Sequence, residues 1–210
     1  MDWLVAAAAR RNPLMLRRIF ALDRKCGRIV LSVREPIIGQ MRLAWWRDVL
    51  RDGTKGRGEP LADALRSASA FPACEDHLVR IVDGWEELCV AGDSGEGWEE
   101  AVTAFARLRG GGLFGAVGAA EEAIGPQNEK AGAAWALWDL AGQLGPGERR
   151  DIVLRQAASF ALSADGRALP RPTRILALLS HKDVARGRPS PSHMTPGLYA
   201  RVLRAQFLGR

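Results

Sequence analysis

Residues 34–51, Arg-Glu-Pro-Ile-Ile-Gly-Gln-Met-Arg-Leu-Ala-Trp-Trp-Arg-Asp-Val-Leu-Arg, constrain the fold more than any other stretch of this chain. Pro36 presets a helical φ and has no N–H to leave unpaired, so it suits a first helical turn. Glu35 beside it complements the positive helix start. Ile38, Met41, Trp45 and Val49 then fall at the spacing that lines one helical face, and Leu43, Trp46 and Leu50 make a second apolar stripe. A helix apolar on two sides is expected at the centre of a bundle. Gly53 is a stop signal.

The same periodicity recurs along the chain. Residues 3–11 and 14–32 read as helices broken near Asn12-Pro13. In the second, Leu16, Ile19, Phe20 and Leu22 to Asp23, then Cys26, Ile29, Val30 and Val33, keep the three-to-four spacing. Residues 52–60 read as a loop, 60–70 as a short helix broken by Phe71-Pro72, and 74–91 as an amphipathic helix. After the loop Gly92–Gly97, a helical pattern runs from Trp98 to about Ala123 despite Gly110-Gly-Gly112, Gly115 and Gly118. Glycine inside a helix costs about 1 kcal/mol each against alanine, so close packing or room for a ligand must offset it. Ala131–Leu144, with Trp135 and Trp138, ends firmly at Gly145-Pro-Gly147, and 148–164 form a further helix. A short helix around Ile175–Leu179, a linker from Gly187 to Ser192 and a basic helix over 196–208 complete the chain. No stretch alternates with period two for more than a few residues, and no internal repeat is present. The expectation is an all-α fold: one domain over 1–210 with a basic tail from about residue 181.

Phe20-Ala-Leu22, the 34–48 segment and Pro60-Leu-Ala-Asp-Ala-Leu65 together resemble the squalene/phytoene synthase family. The flavour is its short proteobacterial branch, which is similar to the complex I assembly factor-like members. The resemblance is strong over about residues 14–66 and traceable to about 180. It implies an isoprenoid-synthase-like helical bundle around a central cavity. The active enzymes of that family join two prenyl diphosphates through two aspartate-rich motifs and magnesium. In that register the first motif falls on Val30-Leu-Ser-Val-Arg34 and the second on Gln143-Leu-Gly-Pro-Gly147, and neither supplies the carboxylates a hard cation needs. Asp139 stands where the family often carries an amide.

The resemblance therefore implies a protein without prenyltransferase activity, which binds an isoprenoid, a lipid-like molecule or a protein partner, as in assembly of a membrane complex. The alternative is an active head-to-head transferase with atypical metal ligands. Magnesium is expected only under that alternative; otherwise no cofactor is.

Asp48 and Asp52 are one helical turn apart, at an end where charge is usually solvated. Adjacent acids such as Glu86-Glu87 diverge on a helix and do not converge on an ion. The ligand-binding candidates are Arg34, Arg42, Trp46, Gly112, Gly115, Trp135, Trp138 and Asp139. An arginine on a helix apolar on two sides must pair or face a cavity. Arg42 is expected either to fork onto a diphosphate or to pair with an internal acid such as Asp139. Gly112 and Gly115 either make room for a prenyl chain or allow close packing. Seven Trp residues suit a cavity wall, but buried Trp usually only packs.

Charge is divided unevenly: residues 1–57 carry a net +8, 58–165 a net −10 and 166–210 a net +8. Either the basic ends fold against the acidic middle, or they offer a face to anionic lipid, diphosphate or nucleic acid. Residues 166–210 are the expected membrane contact in the second reading, with Leu198, Val202, Leu203 and Phe207 forming an apolar stripe. No nucleic-acid-binding motif appears. Three cysteines without CxxC spacing and three scattered histidines suggest a reduced, cytoplasmic protein without zinc. Under the membrane-surface reading it is expected to be peripheral to the inner membrane. No signal peptide or stretch of membrane-spanning length is read.

Overall fold

The computed structural model describes residues 5–91, 97–123, 127–162, 169–191, 193 and 195–208. These are helical almost throughout: α1 (Pro13–Ser32), α2 (Pro36–Arg51), α3 (Pro60–Arg66), α4 (Phe71–Ala91), α5 (Trp98–Phe105), a π turn (Ala106–Gly110), α6 (Gly111–Ala120), α7 (Gln127–Gln143), α8 (Glu148–Leu162), α9 (Arg171–Val184) and α10 (Pro196–Leu208). No strand occurs among the described residues. The fold is all-α.

Proline sets most of the helix starts. Pro13, Pro36, Pro60 and Pro172 each sit in the first turn of their helix, where the missing N–H has no partner to lose. Phe71-Pro72 does the same for α4, so it begins that helix rather than only ending the one before. Of the expected helix over 3–11, Val5 and Ala6 are helical and Ala7 and Ala8 form a turn, and residues 1–4 lie outside the described set. Residues 92–96 of one expected loop also lie outside it, as does Ser192 of the linker.

The centre of the bundle is not where residues 34–51 suggested. Every residue of α6 is buried. Helix α7 is buried on all sides from Ala131 to Trp138 and again at Leu140 and Ala141, with Asp139 partly open between them. Helix α4 packs on α6, α2, α5 and α1, while α7 packs on α8, the π turn, α6 and α9. Helix α2 is instead an outer helix. Gly39, Leu43, Trp46, Val49 and Leu50 are buried against the bundle, but Ile38, Met41 and Trp45 face outward. Two apolar stripes on one helix are equally compatible with a central helix and with an outer helix that exposes one of them.

One buried apolar cluster extends from Val5 to Ala205. It includes Leu198, Val202 and Ala205 of α10, and Arg201 of that helix pairs with the buried Asp183 of α9 at 3.0 Å. Leu198 and Val202 of the C-terminal stripe therefore dock on the protein's own core, the first of the two readings of the basic ends. The Phe207 side chain lies outside the described set.

The glycines of α6 serve close approach. A Cβ on Gly112 would stand 2.7 Å from the His77 carbonyl oxygen, and one on Gly115 would run into the His77 ring. These two candidates line no open space: α4 fills it. Gly110 and Gly132 face each other backbone to backbone, so α7 crosses the π turn with no side chain between them. A Cβ on Gly84 would meet the Arg109 backbone nitrogen at 2.5 Å. Glycines on three elements thus let the π turn sink between α4 and α7.

Candidate functional site

That sunken turn carries Arg109, one of the few charged residues buried in the core. Its guanidinium forks onto Asp23 of α1, with Nε donating to Oδ1 at 2.7 Å and Nη2 to Oδ2 at 2.8 Å. Nη2 also donates to Asp139 Oδ2 of α7 at 2.7 Å, and Nη1 to the Ala136 carbonyl at 3.3 Å. Asp23 accepts a further hydrogen bond from the Trp85 indole at 2.8 Å, and Asp139 one from the Gln143 amide at 3.0 Å. Bidentate pairing and extra donors are what a buried ion pair needs to offset its desolvation.

Aromatic faces complete the enclosure. The guanidinium carbon lies 4.5 Å from the Trp85 ring centroid, 4.8 Å from Trp135 and 5.3 Å from Phe105. Burial alone would pull the pKa of the Arg109 guanidinium down, but Asp23 and Asp139 outweigh it and hold the group firmly protonated.

A pocket of about 590 Å³ opens over this cluster, lined by Phe20, Leu31, Trp85 and Trp135 as apolar walls, Arg24 and Arg28, and the Asp23–Arg109–Asp139 group with Gln143. Two of the expected residues, Trp135 and Asp139, are brought together here. Trp138 is fully buried one position away and does not line the pocket. Asp139 pairs with Arg109, and this overturns the expected Arg42–Asp139 pair: Arg42 lies across α1 in a different groove.

That second groove has a volume of about 570 Å³ and runs between α1 and α2. It is lined by Lys25, Ile29, Ile38, Met41, Arg42, Trp45 and Trp46. Trp46 forms its buried floor, edge-on to Trp45 at 5.2 Å, with the Lys25 ammonium 4.7 Å from its ring centroid. Arg34 is exposed in the turn before α2 and lines neither space.

Asp48 and Asp52, the two acids one turn apart, have structural partners. Asp48 pairs with Lys55 at 2.5 Å, and Asp52 accepts from the Thr54 N–H at 2.8 Å and its hydroxyl at 2.6 Å. Val30–Arg34, where the first metal motif would fall, is the exposed or half-buried end of α1 and the turn after it. No group of three or more metal-ligating side chains occurs among the described residues. Divalent-metal chemistry asks for several carboxylate oxygens free to converge on one ion. Here the two acids that do converge from facing helices close on a guanidinium.

Sequence reasoning missed Asp23, Trp85 and Arg109. The available signal was a charge at a core position: Asp23 falls inside the apolar period of α1, and Arg109 precedes a run of glycine and apolar residues. No family model matches the chain, and no curated protein or solved structure matches it.

Proposed function

We propose that this chain is a squalene/phytoene synthase-like protein that does not transfer prenyl groups and instead binds an amphipathic, lipid-like molecule in the pocket over Arg109. The observation that carries the reading is the closure of Asp23 and Asp139 on Arg109 at 2.7 Å each. A cation is already present between the two carboxylates that face each other across the core, and it is one the protein cannot release. Diphosphate chemistry through magnesium needs those oxygens free.

The pocket supports binding. Its volume is within the ordinary range for small-molecule sites, about 300–1,000 Å³. Apolar walls from Phe20, Leu31, Trp85 and Trp135 suit a hydrocarbon chain, and Arg28 lies beside them for an anionic head. Protein-partner binding, as in assembly of a membrane complex, rests on the resemblance alone.

The test is native mass spectrometry of the purified protein with extraction of bound lipid. A co-purifying isoprenoid or phospholipid, lost from a Trp135→Ala variant that still folds, is the expected result. Protein that remains empty when incubated with isoprenoid alcohols, diphosphates and phospholipids would remove this reading.

A further inference from the structure

Helix α2 exposes an apolar face that nothing among the described residues covers. Ile37 is 59% exposed, Met41 68%, Trp45 42% and Ile38 40%. These residues project from one side of a helix whose other side is fixed in the core by Gly39, Leu43, Trp46 and Leu50. Leu31, at the end of α1, is also exposed. Large side chains this open, gathered on one helix, mark an interaction surface.

The charges around this face are sorted. Arg47 and Arg51 project from the α4 side of α2 and are taken by acids there. Arg47 binds Asp83 at 2.7 Å and also Glu86, and Arg51 binds Asp76 at 2.6 Å and Glu75 at 3.3 Å. Arg34 and Arg42, on or beside the apolar face, are exposed and have no ion-pair partner among the described residues. Glu35 is an exposed acid at the helix start, and Asp48 is held by Lys55. The result is an apolar ridge with unneutralised arginines beside it, while the acids of α4 lie behind the helix.

We propose that α2 is the face by which this protein lies on an anionic lipid bilayer, with Ile37, Ile38, Met41 and Trp45 at the acyl boundary and Arg34 and Arg42 on the headgroup phosphates. A helix held parallel to its support, apolar side outward and arginine-flanked, has the geometry of an interfacial helix. Trp45 suits the headgroup level, where an amphipathic ring is favoured. The unpaired arginines supply the charge complementarity that selects an anionic surface over a neutral one. This inference is independent of what occupies the pocket over Arg109.

The test is co-sedimentation of the full chain with phosphatidylcholine vesicles and with vesicles that also contain phosphatidylglycerol. Binding is expected only to the anionic vesicles and should weaken as salt rises. Each of Arg34→Ala and Arg42→Ala should lower the affinity about fivefold, and the Arg34→Glu/Arg42→Glu pair should lower it further. Met41→Ser with Trp45→Ser should abolish binding. The arginine variants touch only exposed groups, so an unchanged thermal melt separates lost binding from lost folding. Brominated lipid should quench part of the tryptophan emission in the native chain, and not in Trp45→Phe. Equal binding to both vesicle types, or anionic binding that survives these substitutions, overturns the proposal. So does a chain that ignores vesicles but self-associates in solution through Met41 and Trp45, because the face would then be a protein interface.

Discussion

Arg109 and Asp23 meet side-on in the core, Nε to Oδ1 and Nη2 to Oδ2, although 86 positions separate them in the chain. The pair ties the π turn to α1, and the third bond to Asp139 ties both to α7. Removing the arginine would leave the buried Asp23 carboxylate without its bidentate partner. Arg109→Ala is expected to destabilise by about 3–5 kcal/mol, the range for breaking a buried ion pair from one side. Arg109→Lys should recover little of this, because an ammonium cannot fork onto Asp23 and reach Asp139 together. Arg47→Ala, at a half-exposed cluster with Asp83 and Glu86, should lose about 1 kcal/mol or less. Urea denaturation of the three variants measures the contrast. Equal losses for Arg109→Ala and Arg47→Ala would mean that the core cluster is not the tie described.

Gly110 and Gly132 predict a second contrast. A methyl group on either one lands on the other's backbone, which cannot move aside as a side-chain tip can. Gly110→Ala and Gly132→Ala should each destabilise by about 1–3 kcal/mol, against the small gain alanine usually gives in a helix. At Gly53 and Gly145 a methyl group would meet nothing within 4 Å, and alanine there should be nearly neutral. Thermal melts of the four variants decide it, and uniform behaviour would argue against the crossing.

His77 gives a pH dependence. Its ring packs on Gly115, and its Nδ1 has no hydrogen-bond partner among the described residues. Burial pushes its pKa down from the ordinary 6.5, and the nearby Arg80 adds to this, so the folded state favours the neutral ring. The unfolded chain binds the proton more readily, so the stabilisation is present above 6.5 and is lost as pH falls toward the lowered folded value. Chemical melts at pH about 7.5 and about 5.5 should show a loss that is smaller in His77→Phe, whose ring does not titrate. The same loss in both proteins would assign the acid sensitivity to other groups.

Docking of α10 is tested at Val202, which is fully buried, and at Arg201, which pairs with Asp183. Val202→Asp places an unpaired charge in the core and should cost several kcal/mol, whereas Arg204→Asp, on the exposed side of the same helix, should change stability by about 0.5 kcal/mol or less. Proteolysis of the native protein reads the difference, with early cleavage near α10 expected only in Val202→Asp. Resistance in both variants would mean that α10 contributes little to the core.

Helix existence was legible because its signals are local. Prolines 13, 36, 60 and 172 mark helix starts, Gly145-Pro-Gly147 marks an end, and the apolar period runs between them. Which helix is central was not legible from α2, since a second apolar stripe looks the same whether a neighbour covers it or not. The glycine run of α6 did pose the right alternatives, and His77 settles them in favour of close packing. The Asp23–Arg109–Asp139 group escaped because no spacing rule joins residues 86 and 30 positions apart. The resemblance marks Asp139 but not its partner, because the π turn that sinks Arg109 between α4 and α7 leaves no periodic trace.

The central claim is that the two acids facing each other across the core serve a guanidinium and not magnesium. The most direct measurement incubates the purified protein with farnesyl diphosphate or geranylgeranyl diphosphate and magnesium or manganese, and looks for a coupled hydrocarbon product. No product is expected, and neither cation should raise the melting temperature. A product that disappears in Asp23→Asn or Asp139→Asn would contradict the account, because those carboxylates would then be working as metal ligands.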